Sequence, residues 1–387
     1  MKIEDKSRRG ETNVGFDAPA AAVNIALIGA SGRIGRRLLE LVAARIGAVR
    51  LRVVAMANSR SWLIARDGLG PQQALVRLAA EADASGTDFA DLLLRLPRPL
   101  VVVDCSASAE IAARYPRWLG AGIDVVTPNK FGSSANRPLA QAIAAAQAAS
   151  GAVLRDATTV GAQLPILYTL RDLHAAGDRV ERLEAVLSGT LSYVLGGVHR
   201  GAALSQAVRD AVAQGYAEPH PACDLSGEDA ARKLVILLRA LGHDIELGDV
   251  ERVPLVDAAL LDAADPAHLL RSLEGADETW RARAAVAQAR RERWVYRASF
   301  DCTSGPGRAR VAPERIAIDH PLAQLTPCEN ALILHSAYYH AAPLRIAGPG
   351  AGIDLTAAGV FADLLATAQR HAPAVGVADT ALVEAAA

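Results

Sequence analysis

Residues 215–233 read GYAEPHPACDLSGEDAARK and place Glu218, Asp224 and Asp229 a short way before Lys233. Four residues separate Asp229 from Lys233, so on a helix both lie on one face, a turn apart. Carboxylates beside an ammonium suit a small amino-acid substrate. They bind its amino group while the ammonium reaches an oxygen that gains charge during reaction. A solvated ion-pair face is the plain alternative for any charged helix start. Lysine usage sharpens the choice. Of 41 Lys and Arg residues only four are Lys, at positions 2, 6, 130 and 233. The first two lie in an N-terminal tail, so the folded body keeps lysine at two places. Arginine stays protonated, whereas lysine can give up a proton. Lys130 and Lys233 are therefore the candidate proton carriers.

A second signal lies in VNIALIGASGRIGRRLLELVA, residues 23–43. An apolar, partly β-branched run meets glycines at 29, 32 and 35, which open a periodic helix. Gly29 permits a tight turn. Ser31, Gly32, Arg33, Ile34 and Gly35 then bring backbone N–H groups to a pyrophosphate at the helix N-terminus. Ser31 stands where the usual G-x-G-x-x-G pattern has its second glycine, and a turn that serves packing alone is the alternative. The next strand, LRVVAMANSR, ends without the carboxylate that would hold a ribose 2′-hydroxyl. Asn58, Ser59 and Arg60 suit a 2′-phosphate instead. NADP is the expected cofactor, with NAD not excluded.

These groups need a scaffold. The strand-like runs VNIALIG, LRVVAMANSR, LVVVDCSAS and IDVVTPNK, the last ending at Lys130, alternate with helical stretches. That predicts an α/β chain with a Rossmann-type doubly wound parallel sheet over 22–157. From 158 to 348 the pattern becomes α+β. It has helical QLPILYTLRDLHAAG, a strand in VERLEAVLS, a helix over 227–241 and antiparallel strands in WVYRASFDC, GRARVAPERIA and ENALILHSAYY. Ser226 and Asp229 have the spacing of a capping box, with Asp229 at the third helical position. His335, His340 and the stretch SAYYH read as sheet packing, and Cys105 as a small buried residue. Residues 1–21 read as a flexible tail without the apolar segment of a signal peptide. A net charge of −1 gives no reason to expect nucleic acid, and no apolar run is long enough to span a membrane. Cys105, Cys223, Cys302 and Cys328 form no C-x-x-C pair, which points to a reducing cytoplasm without structural zinc or disulfides.

The chain resembles the homoserine dehydrogenase family, most closely the dehydrogenase half of the bifunctional aspartokinase–homoserine dehydrogenases. The likeness is carried by VVTPNK at 125–130, TTVGAQLPI at 158–166, LSGTLSYV at 187–194, GYAEP and DLSGEDAARKL within 215–234, and GPGAGIDLTAAGVFADLL at 348–365. The resemblance implies NAD(P)H-dependent interconversion of L-aspartate 4-semialdehyde and L-homoserine, on the route to threonine and methionine. It implies that 349–372 complete the dinucleotide-binding domain, that 158–348 bind substrate and dimerise, and that the protein is a homodimer. Lys233 takes the proton-donor role, and Lys130 lies near nicotinamide and substrate. Glu218 and Asp229 match homoserine-binding carboxylates, with Asp224 beside them. Ser106, Gly215 and Gly350 match residues that approach the cofactor. A monovalent cation, sodium or potassium, is implied at the backbone carbonyls of Val160, Ala162 and Leu164. The carboxylate that helps hold it is replaced by Ala157, and Asp156 stands one place too early. Cys223–Asp224 stands where the family often has two aspartates. Two other readings stay open: another NADP-dependent semialdehyde or amino-acid reductase, and a non-catalytic NADP-binding sensor.

Overall fold

The computed structural model describes residues 22–44, 50–80, 88–217, 220–263 and 265–371. The tail over 1–21, Glu218, Pro219 and residue 372 lie outside the described residues.

The first half folds around a six-stranded sheet. Its strands are β1 (Val23–Ile28), β2 (Leu51–Ala57), β3 (Trp62–Ile64), β4 (Leu100–Asp104), β5 (Asp124–Val126) and β6 (Leu154–Arg155). They lie in the order β3-β2-β1-β4-β5-β6. Every pairing is parallel except β2 with β3. β1 and β4 are buried along their whole length, as continuous apolar runs must be when helices cover both faces of a sheet. One face packs Leu38 and Leu39 of the first helix, Arg33–Ala43, together with Val360, Phe361 and Leu364 of the last helix, Ile353–Gln369. The other face packs Trp118, Leu119 and Ile143. The strand order reverses between β1 and β4, and ligands of such sheets bind outside the carboxyl ends of the strands at that reversal. Gly29 follows β1 there and Ser106 follows β4.

Two expectations change. β2 does not lead straight to a crossover helix. The chain turns back through Asn58–Ser61 into β3, an antiparallel edge strand that the sequence pattern did not mark. The strand expected to end at Lys130 stops at Val126, and Lys130 instead opens a short helix, Lys130–Ser133, capped by Asn129.

The second half builds another six-stranded sheet from β7 (Val180–Val186), β8 (Val250–Arg252), β9 (Glu292–Asp301), β10 (Arg308–Ala317), β11 (Glu329–Ser336) and β12 (Leu344–Pro349). The order is β12-β11-β7-β9-β10-β8, antiparallel except for β8 with β10. One face carries a core that includes Leu183, Ala185, Phe300 and Leu334, and Leu234, Leu237 and Leu238 of the helix Glu228–Ala240. Gly348 and Pro349, the first residues of the GPGAG stretch, belong to β12. SAYYH is not sheet packing beyond its first residue. β11 ends at Ser336, and Tyr338 is 69% exposed.

Candidate active site

Asp229 and Lys233 sit on the helix Glu228–Ala240, whose long apolar side is buried in the second core. The helix does not start with the expected capping box. Gly227 is the cap, at φ 76°, and a Cβ there would lie 1.8 Å from the Tyr296 hydroxyl. That contact requires glycine, and Ser226 cannot be the cap because it ends the preceding short helix Ala222–Leu225 in helical geometry. The Ser226 hydroxyl donates to the Cys223 carbonyl at 2.8 Å and accepts the Glu228 N–H at 3.2 Å. Asp229 is therefore at the second helical position. Its side chain is free for the lysines, while its charge still favours the helix N-terminus.

The two lysines of the described residues meet at that carboxylate. Lys233 Nζ lies 2.7 Å from Asp229 Oδ2, and Lys130 Nζ lies 3.1 Å from Oδ1. Lys233 Nζ also donates to the Leu187 carbonyl at 2.7 Å, just before Ser188 caps the helix Gly189–His199. Burial works against the charged carboxylate. The ammonium of Lys233, and after it that of Lys130, outweighs burial and holds Asp229 well below the usual carboxylate range. Two of the three Lys233 donors are thus occupied, which leaves one N–H for a ligand.

A cavity of about 550 Å³ opens beside this cluster, large enough for a small substrate and the reacting part of a cofactor. Lys130, Asp229, Lys233 and Asp224 line it from one side. Gly215 and Gly350 reach it from two loops, and Arg33 and Ile34 from the start of the first helix. Gly29 has φ 76°, and a Cβ on it would lie 2.7 Å from Cys105 C and 2.9 Å from the Ser106 backbone nitrogen. The glycine loop therefore presses on the Ser106 loop, a backbone cradle of the kind that admits a pyrophosphate.

The family model described as Homoserine dehydrogenase matches residues 165–365. That described as Homoserine dehydrogenase, NAD binding domain, matches residues 31–155. The chain belongs to the homoserine dehydrogenase family. That family consists of NAD(P)-dependent oxidoreductases. A homoserine dehydrogenase from Schizosaccharomyces pombe is 33% identical over 367 residues, covering 90% of this chain and 96% of that protein. The bifunctional aspartokinase/homoserine dehydrogenase 1 of Zea mays is 36% identical over 344 residues, covering 86% of this chain; the match spans 37% of the maize protein's length. A hyperthermophilic archaeal homoserine dehydrogenase in complex with NADPH shares the fold, with 25% identity and a TM-score of 0.68 over 90% of this chain and 98% of that one.

Not every expected site residue stands as the sequence suggested. Asn58 is engaged in the turn itself. Its Oδ1 accepts the backbone N–H groups of Arg60 and Ser61, both at 2.8 Å, so it shapes the turn that leaves Ser59 and Arg60 exposed. Two groups near the expected cation site already have partners. Asp156 is buried with Oδ1 2.7 Å from Arg171 Nη2 and Oδ2 2.5 Å from the Ser133 hydroxyl. The Leu164 carbonyl accepts the Ile166 N–H at 2.7 Å. The Ala157 N–H donates to Asp363 Oδ2 of the last helix at 3.2 Å. Asp156 therefore cannot stand in for the carboxylate missing at Ala157 without giving up its bonds to Arg171 and Ser133. Burial pushes the Cys105 thiol up, leaving it a packing group. The sequence reading missed Thr158, Thr159, Tyr216 and Cys328, which also line the cavity. Only TTVGAQLPI carried a hint, for the two threonines.

Proposed function

We propose that this protein catalyses the NADPH-dependent reduction of L-aspartate 4-semialdehyde to L-homoserine and its reverse. The observation that carries the reading is the Lys233–Asp229–Lys130 cluster on the wall of a cavity that the glycine-loop helix also lines. When bound, the reduced nicotinamide supplies the hydride that the aldehyde carbon accepts. The protein's own groups do the rest. Lys233 donates a proton to the carbonyl oxygen as it becomes an alcohol, and its ammonium stabilises charge on that oxygen beforehand. Asp229 and the Leu187 carbonyl fix the direction of that donor. Lys130 sits on the nucleotide-sheet side of the same carboxylate, placed to orient substrate against the cofactor. Asp224 faces the cavity beside Thr190, whose hydroxyl lies 3.4 Å from Asp224 Oδ1, and suits the substrate's ammonium.

Purified protein should oxidise NADPH with the semialdehyde and reduce NADP with homoserine, read at the reduced-nicotinamide absorbance band. No change in either direction would overturn the reading and favour a sensor.

NADP preference is supported by the missing carboxylate after β2 and by exposed Arg60 on the Asn58 turn. Arg60→Ala should raise KM for NADPH by about tenfold, the worth of one charge-assisted hydrogen bond, and change KM for NADH less than twofold. Equal changes for both cofactors would remove Arg60 from the 2′-phosphate site.

A homodimer through the second sheet is supported by β12, which among the described strands pairs only with β11 and keeps an open edge. All four cysteines are free. No helix of the described residues is long and apolar enough to cross a membrane.

A further inference from the structure

We propose that the buried carboxylate of Asp104 is a positioning residue that locks the Ser106 loop and the Lys130 turn into one hydrogen-bonded unit. The inference rests on the dehydrogenase reading, because it assigns Lys130 a place in the reaction. Asp104 ends β4, is fully buried and does not line the cavity. Its Oδ1 accepts the Ser106 N–H at 2.8 Å. Its Oδ2 accepts the Tyr115 hydroxyl at 2.5 Å and Asn129 Nδ2 at 2.9 Å. Asn129 Nδ2 also donates to the Ser108 carbonyl at 2.9 Å, while its Oδ1 accepts the Phe131 N–H at 3.1 Å. Two acceptors on one end and a donor on the other leave a single orientation for that amide. Thr127 closes the network. Its hydroxyl donates to the Asp104 carbonyl at 2.8 Å and accepts the Asn129 N–H at 2.9 Å.

The network matters because of what it holds. Lys130–Ser133 is a helix of four residues, too short to keep its shape through its own hydrogen bonds. Its direction comes from its cap, Asn129, and the cap is held by Asp104. The turn also sits on Tyr115: a Cβ at Gly132 would lie 2.5 Å from that ring. From the second half of the chain, the Arg232 guanidinium lies 4.7 Å over the Phe131 ring, while its own helix carries Lys233. Lys130 is thus aimed from below by a buried acceptor and from above by the Lys233 helix. Three donors converge on the two carboxyl oxygens of Asp104. Burial pushes its pKa up, and the bonds from Ser106, Tyr115 and Asn129 work against that.

The test uses the full chain with Asp104→Asn, the milder Tyr115→Phe, Lys130→Met and the double variants. Asp104→Asn should lower kcat by about tenfold and Tyr115→Phe by about threefold, as expected for loss of one or part of one buried hydrogen-bonded contact. In the Lys130→Met background each should change kcat less than about twofold, because coupled positions are not additive. Equal losses with and without Lys130 would overturn the proposal, as would full kcat in folded Asp104→Asn. A second readout needs no activity. The chain's four lysines give few resonances when lysine alone carries ¹³C. Asp104→Asn or Tyr115→Phe should move the Lys130 signal more than that of Lys233. Unmoved signals would sink the positioning role even in a chain inactive toward homoserine, whereas loss of wild-type turnover with the shift intact would sink only the proposed reaction.

Discussion

Lys233→Arg is expected to lower kcat by about a hundred- to ten-thousandfold, the usual cost of losing a general acid. Thermal stability and NADPH binding should stay near wild type. The ammonium of Lys233 is a compact charge held at 2.7 Å from both Asp229 Oδ2 and the Leu187 carbonyl, with its side chain 13% exposed. Guanidinium keeps the positive charge and can still pair with Asp229. Its pKa above about 12 makes it a poor proton donor, and its planar fork does not reproduce the direction of the third ammonium N–H. Stopped assays in both reaction directions, with melting curves and NADPH titration, separate chemistry from folding. Turnover within threefold of wild type would place the proton donor elsewhere. Lys130, the only other lysine among the described residues, would then be the first candidate.

Asp229→Asn should lower kcat/KM by about 30- to 300-fold. Truncating one partner of a buried, hydrogen-bonded charge pair costs roughly 2–5 kcal/mol, and the lower part applies because a third of the Asp229 side chain is exposed. The neutral amide leaves two ammonium groups facing each other without the charge that held both. A stability signature accompanies the loss. The folded pKa of Asp229 is depressed below its unfolded value of about 3.9, so its stabilisation is complete above that value and fades as pH falls through the folded pKa. The melting-temperature gap between wild type and variant should be largest at neutral pH and shrink in strong acid. A gap of constant size from pH 7 to pH 2 would mean that the carboxylate is not stabilised by the lysines. The effect comes from charge and not from a lost cap, since the side chain caps nothing.

What the sequence revealed about this site depended on distance along the chain. The glycine loop and its helix were legible because strand, turn and helix are consecutive. Asp229 and Lys233 were legible because four residues make one helical turn. Lys130 was found by composition, but its contact with Asp229 joins two halves of the chain and leaves no periodic trace. The capping box failed by one residue because Ser226 ends the preceding short helix in helical geometry. β3 is three residues long and pairs through a turn set by one asparagine side chain, too little pattern for an alternation to register. Asp104 lay within the strand-like run LVVVDCSAS, and nothing in the sequence singled it out. The Ser106 N–H is two residues away, but Tyr115 and Asn129, its other donors, reach it only through the fold.

The last helix has a consequence for synthesis. Val360, Phe361, Leu364 and Ala368 pack into the same core as β1, β2 and β4, which the ribosome finishes long before. Translation at ~5–20 residues per second leaves a delay of roughly 12–50 s between Val126 and Val360. During that interval one face of the nucleotide sheet, covered only in part by the first helix, waits for a helix not yet made. The second half, nested between, can bury its own core first. The emerging chain should therefore be a client for chaperones that shield apolar sheet surface, and a truncation just before Ile353 should be bound by them far longer than the full chain.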